Sequence, residues 1–197
     1  MSENSEKGRR GEHAGMALAS TIAIYEPRIE VKRTSTTNTP ENGVDFEVIC
    51  PHNLSTKLDQ IAQTGKSDLV LSNSLIQARV QVKNHSGPIT KAIMDGFIQQ
   101  CATNPKYDEH WGMGGVRFTK GAKESLEAGQ QRHSVKWWLT DDLAAIESKY
   151  PAVPFGRIND ALSKHGRSTE AAGISEAEVS NVSQTQAPTA PEPSGKT

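Results

Sequence analysis

Two alternating runs of this chain carry the residue types needed to cut a phosphodiester. The first, Gly43-Val44-Asp45-Phe46-Glu47-Val48-Ile49, places acids at alternate positions. The second, Ala78-Arg79-Val80-Gln81-Val82-Lys83, does the same with an arginine, an amide and a lysine. Side chains of an extended chain point alternately to opposite faces, so Asp45 and Glu47 share one face of their strand, and Arg79, Gln81 and Lys83 share one face of theirs. If the two strands pair, an acid, an amide oxygen and an ammonium converge. Oxygen donors of this kind hold a hard divalent cation, and a lysine beside them orients water and stabilises developing negative charge.

Those residues need a sheet to hold them, and the rest of the chain supplies one. Residues 5–24 read as a helix, with Ala14, Ala17, Leu18, Thr21 and Ile22 as an apolar stripe and Glu12 projecting from its first half. Pro27 ends it, and 29–33 follow as a short alternating strand. Residues 53–63 read as an amphipathic helix on Leu54, Leu58 and Ile61, and 75–83 as the strand that carries Gln81 and Lys83. A loop through His85 and Pro88 opens a helix over 90–101 with Ile93, Phe97 and Cys101 facing a core. The pattern then predicts a glycine-entered strand over 112–118, a helix over 120–128, a strand over 134–139 with one tryptophan of Trp137-Trp138 turned outward, and a helix over 143–149 with Asp141 and Asp142 as N-cap candidates. Helix, strands, then alternating helix and strand describe an α/β fold: a mixed sheet flanked by helices.

The order of Asp45, Gln81 and Lys83 resembles the D…(D/E/Q)-x-K signature of the PD-(D/E)XK nuclease superfamily, and the glutamine variant resembles its Mrr-like restriction endonuclease branch. Gly8-Arg9-Arg10-Gly11-Glu12 is similar to that family's helical start, with Gly11 where a large apolar residue is usual. Gly87-Pro88-Ile89 and Val116-Arg117-Phe118-Thr119-Lys120-Gly121-Ala122 are similar to its strand-to-helix turns. The resemblance spans roughly residues 5–146. It implies a restriction-endonuclease-like fold and a metal-dependent DNA endonuclease. Mg2+, or Mn2+, would be held by Asp45, Gln81, the Val82 carbonyl and Glu12, and Lys83 would assist the attacking water. It also implies DNA as partner and, because cutting both strands takes two sites, a homodimer. His85, Lys91 and Lys120 become candidates for DNA contact, and Glu47 for a second group beside the metal. A catalytically weak or inactive DNA-binding module of the same fold, and a repair or junction-resolving nuclease, are the rival readings.

Composition bounds these expectations. At 197 residues, 35% of them hydrophobic, the chain can bury one good core. Residues 1–164 are expected to form a nuclease domain, with 51–74 as an insertion acting as a lid, an arm or a surface loop. Residues 165–197, rich in Ser, Thr, Ala, Glu and Pro without an aromatic residue, are expected to form a disordered tail. The net charge of −1 argues against a generally sticky polycation. Two distant cysteines read as buried reduced thiols, and six scattered histidines do not make a zinc site. No apolar run approaches membrane-spanning length, so a cytoplasmic protein without membrane contact is expected.

Overall fold

In a computed structural model the chain is described over residues 3–33, 44–83 and 87–151. The expected tail, His85 and Gly43 lie outside the described residues. The elements are α1 (Glu3–Tyr25), β1 (Glu30–Arg33), β2 (Phe46–Pro51), α2 (Leu54–Thr64), β3 (Leu75–Val82), α3 (Lys91–Thr103), β4 (Glu109–Met113), α4 (Lys120–Gln130), β5 (Val135–Trp138) and α5 (Thr140–Lys149). The five strands lie in the order β1-β2-β3-β4-β5. The first three are antiparallel neighbours, whereas β3, β4 and β5 run parallel. The fold is mixed α/β, a five-stranded sheet flanked by helices on both faces.

Strand alternation sorts the core into two. Phe46, Val48, Ala78, Val80, Trp111, Met113 and Trp138 pack beneath α1, α2 and α5. On the other face Val135 and Trp137 meet Met94, Phe97, Ile98 and Cys101 of α3 and Ala122 of α4. Helices therefore cover β5 on both sides, and both Trp137 and Trp138 are buried. The expectation of one outward ring is corrected: a strand sandwiched between helix layers has no solvent face. Cys50 and Cys101 are buried free thiols, as expected.

The segment 51–74 carries a structural layer. Leu54, Leu58 and Ile61 of α2 are at most 2% exposed, and full burial contributes roughly 1.5–3 kcal/mol per side chain of this size. Asp59 ties the helix to β5 by accepting from Lys136 Nζ at 2.5 Å and Trp138 Nε1 at 2.9 Å. Ser55 donates to the buried Glu109 at 3.1 Å. That anchoring contradicts the lid, arm and surface-loop alternatives for this helix.

The predicted strand 112–118 is displaced. β4 begins at Glu109 and stops at Met113 because Gly114 and Gly115 take φ of 104° and 81°, which L side chains rarely adopt. The turn lets Gly114 N–H donate to Trp138 O at 2.8 Å, and its α-carbon sits so close to β3 that an added Cβ would lie 2.3 Å from Lys83 O. Beyond the turn, Phe118 bridges Ile89 in parallel. The two strand-to-helix turns thus sit side by side. Thr90 caps α3 by accepting from Ile93 N, and Thr119 caps α4 by accepting from Ala122 N. At α5 the Asp142 carboxylate lies in the first turn and accepts from Leu139 N at 2.9 Å, so Leu139 takes the cap position expected for the aspartates. Among the described residues no helix is long and apolar enough to cross a membrane.

Gly114→Ala is expected to lose about 2–4 kcal/mol of stability through combined strain and clash. Chemical denaturation checks this, and a loss under 1 kcal/mol would contradict the close packing of the turn on β3.

Candidate functional site

Asp45 stands immediately before β2. Its N–H donates to Val80 O at 2.9 Å, and its carboxylate accepts from Val82 N at 2.5 Å. The pairing of Phe46 with Val80 sets Asp45 opposite Gln81. The carboxylate is half-buried, and its pKa is raised from 3.8 to about 6. Burial is the largest cause, opposed by the Val82 hydrogen bond. The Glu12 charge raises the pKa further, and Lys83 and Arg79 draw it down.

Glu12 reaches this neighbourhood because α1 lies close on the sheet. An added Cβ at Gly15 would stand 2.8 Å from Val82 Cγ2, so only a glycine permits that approach. One turn away, half-buried Glu12 shares with Asp45 a cavity of about 280 Å3, also lined by His13, Met16 and Arg33.

Gln81 and Lys83 open onto a different cavity, of about 220 Å3, walled by Ala92, Gly96, Phe97 and Gln100 of α3. Gln81 is 3% exposed, and its amide oxygen has no hydrogen-bond partner among the described residues. Lys83 N donates to Met113 O at 2.8 Å, which locks the end of β3 to β4. Lys83 also borders a cavity of about 390 Å3 whose lining mixes Leu18 and Leu143 with Thr140, Glu147 and Tyr150. Asp45 with Glu12, and Gln81 with Lys83, therefore line two separate recesses, the first against α1 and the second against α3.

Glu47 is already engaged. It accepts from Tyr107 Oη and, at 2.9 Å, from Gln77 Nε2, with Lys106 Nζ at 3.5 Å. Burial alone would raise its pKa, but the hydrogen bonds and the Lys106 charge outweigh it and hold the carboxyl below its usual range. A carboxylate so occupied is a structural anchor, which corrects its candidacy beside a metal. Arg79, fully buried on the same face, donates to His110 Nδ1 at 2.7 Å and lies over the Phe97 ring at 4.9 Å. Burial and the Arg79 charge push His110 down to about 4, so it is neutral near pH 7. Lys91 pairs with Asp95 at 2.6 Å on an exposed surface, and Lys120 is 93% exposed beside Glu124.

Sequence patterning missed Arg33, His13 and Gln100. The first two needed the β1–β2 register and the angle of α1 to reach Asp45. Gln100 needed its spacing from Gly96, one turn along α3.

The oxygen donors are of the kinds a hard divalent cation takes, and they are divided: Asp45 and Glu12 line one cavity, and the unpartnered Gln81 amide lines another. Two crowded carboxylates gain from a positive charge between them, and an unpartnered amide oxygen can ligate one. Among the described residues no group of three or more His, Cys, Asp or Glu side chains is placed to hold a metal, which leaves neither a thiolate- or imidazole-rich site nor a cluster of three carboxylates there.

No family model matches this sequence, and no curated protein does. A solved structure of the MspJI restriction endonuclease in complex with a 27-mer oligonucleotide is similar at 14% identity with a TM-score of 0.39, over 83% of this chain. This chain spans 33% of that one, about a third of its length.

Because Asp45 has a folded pKa above that of a free carboxyl, the cost of ionising it in place is fully felt above about pH 6 and vanishes as pH falls towards 4. Asp45→Asn, which can still accept from Val82 N, is expected to stabilise the metal-free protein by on the order of 2–3 kcal/mol at pH 8 and by almost nothing at pH 4. Urea unfolding at both pH values tests this. An equal effect at each would contradict the desolvated carboxylate.

Proposed function

We propose that this chain is a metal-dependent DNA endonuclease of the PD-(D/E)XK type, with the Mrr-like glutamine variant of the site. The observation that supports it most is the β2–β3 junction. There a desolvated Asp45, held by Val82 N at 2.5 Å, stands opposite the unpartnered amide of Gln81 and within electrostatic reach of Glu12 and Lys83.

In this reading Asp45 and Gln81 supply side-chain oxygens to Mg2+ or Mn2+, the Val82 carbonyl supplies a backbone oxygen, and Glu12 supports from α1. The bound cation would provide Lewis-acid stabilisation of negative charge on the phosphoryl oxygens. The Lys83 ammonium positions water for in-line attack and neutralises charge on the phosphate, with no need to abstract a proton. Lys91 and Lys120, at the starts of α3 and α4, would touch backbone phosphates flanking the site. A homodimer would bring the second site that double-strand cutting requires.

A second reading, a nuclease-fold DNA-binding module, draws support from the neutral Gln81 in place of a third acid. The two readings part in one assay. With a panel of duplex, junction and methylated DNA in Mg2+ or Mn2+, the nuclease cuts, whereas the module binds in chelator and in metal without cutting.

Asp45→Ala and Lys83→Ala are each expected to lower cleavage by about 10³-fold or more while the protein stays folded by circular dichroism. Full cleavage by both would refute the assignment. Read as kcat/KM at subsaturating Mg2+, which reports the metal-free enzyme, cleavage by the wild type should also fall as pH drops through about 6, where Asp45 takes up a proton and loses its charge for the cation. A rate unchanged from pH 8 to pH 5 would exclude Asp45 as a ligand.

A further inference from the structure

The recess between β3 and α3 holds acceptors without donors. Gln81 on β3, 3% exposed, and Gln100 on α3 both line it, and each has a buried amide oxygen with no hydrogen-bond partner among the described residues. Two such oxygens left unpaired are costly, so the recess calls for a group that brings several N–H donors to one place. Apart from Lys83, the rest of the lining is apolar, and no carboxylate belongs to it. Lys83 is the lining residue whose side chain carries three donors and no acceptor. Alternation along the strand puts it two residues beyond Gln81 on the same face, on a flexible four-carbon stem.

We propose that the recess is an internal seat for the Lys83 ammonium, with Gln100 as a positioning residue that nothing in the motif assigns. The Gln81 and Gln100 oxygens each accept one ammonium N–H, and the third N–H is left for the attacking water of the proposed reaction. Neutral acceptors suit this task. A carboxylate in their place would cancel the charge of the lysine, whereas two amide oxygens fix its direction and leave the charge in force. An amide oxygen has two lone pairs, so Gln81 can accept from Lys83 and still turn the other to a cation. The catalytic consequence rests on the nuclease reading, whereas the seat itself belongs to the metal-free protein.

The test uses the full chain, isotope-labelled at lysine nitrogen, with Gln100→Leu, Gln100→Glu and Lys83→Arg. Proton–nitrogen NMR spectra of the lysine ammonium groups read the seat, since such a group gives a signal when hydrogen bonds slow its exchange with water. The wild type is expected to show a Lys83 signal, assigned by its loss in Lys83→Arg. That signal should vanish in Gln100→Leu, which removes the acceptor, and remain in Gln100→Glu, which keeps one. On a duplex that the wild type cuts in Mg2+, Gln100→Leu is expected to lower kcat about 10-fold with little change in KM. Gln100→Glu should lower kcat as well, because its carboxylate cancels the charge that the amide leaves. Thermal melting checks folding, and if Gln100→Leu melts well below the wild type, Gln100→Met is read in its place against the same outcomes. A Lys83 signal that is missing from the wild type, or that persists unchanged in Gln100→Leu, rejects the seat, and the nuclease reading survives if the wild type cuts. A lost signal with kcat unchanged rejects the positioning role. Should the wild type cut none of the substrates, the nuclease reading fails, and the lysine signal alone decides the seat.

Discussion

The hydrogen bond from Val82 N–H to the Asp45 carboxylate ties the acid to the strand that carries Gln81 and Lys83, and the surrounding structure serves to hold it. It links the start of β2 to the end of β3, at the strand where the sheet changes from antiparallel to parallel pairing. A carboxylate in that position loses hydration on several sides. The one backbone donor recovers part of the loss, and the nearby positive charges of Lys83 and Arg79 recover more, yet burial still prevails and the acid stays hard to ionise. A group held in that state would gain from a cation placed beside it, as the proposed reading requires. The protein maintains it because both strands are anchored elsewhere, through Glu47 and Tyr107 on one side and the Gly114 turn on the other.

The fold supplies this rigidity through layering. α1 presses on Val82 through Gly15 and so carries Glu12 towards Asp45, while α3 closes over Gln81 from the opposite face. Buried polar groups on α3's side, Arg79 with His110 above all, satisfy one another and fix the β3 backbone on which Gln81 and Lys83 stand.

Much of this was legible in the sequence because the signals were periodic. Alternation gave β2 and β3, and helical spacing gave α1, α2 and α3 within a few residues; the register that sets Asp45 opposite Gln81 came only with the sheet. The misreadings have physical causes. The glycine pair at 114–115 looked like a strand entry but is a strand exit, since only the positive φ reveals the turn. Trp137 and Trp138 seemed divided between core and solvent because one chain's pattern does not reveal that helices cover β5 twice. Glu47 matches Asp45 in pattern, but Tyr107 and Gln77 occupy it, and within 51–74 the helix α2 belongs to the core because it packs on distant elements, β5 and α5. Arg33, His13 and Gln100 reach their recesses only through register and helix docking, which local spacing does not encode.

The most direct test of the central claim follows the Asp45 side-chain carboxyl carbon by NMR as pH is varied, with and without Mg2+ and a non-cleavable duplex. Without metal the carboxyl should titrate near 6. With Mg2+ and duplex present the midpoint should fall by at least one unit, because a bound cation favours the ionised form. A midpoint unmoved by saturating Mg2+ and duplex would show that no cation binds this carboxylate, and the hydrolytic account would be contradicted.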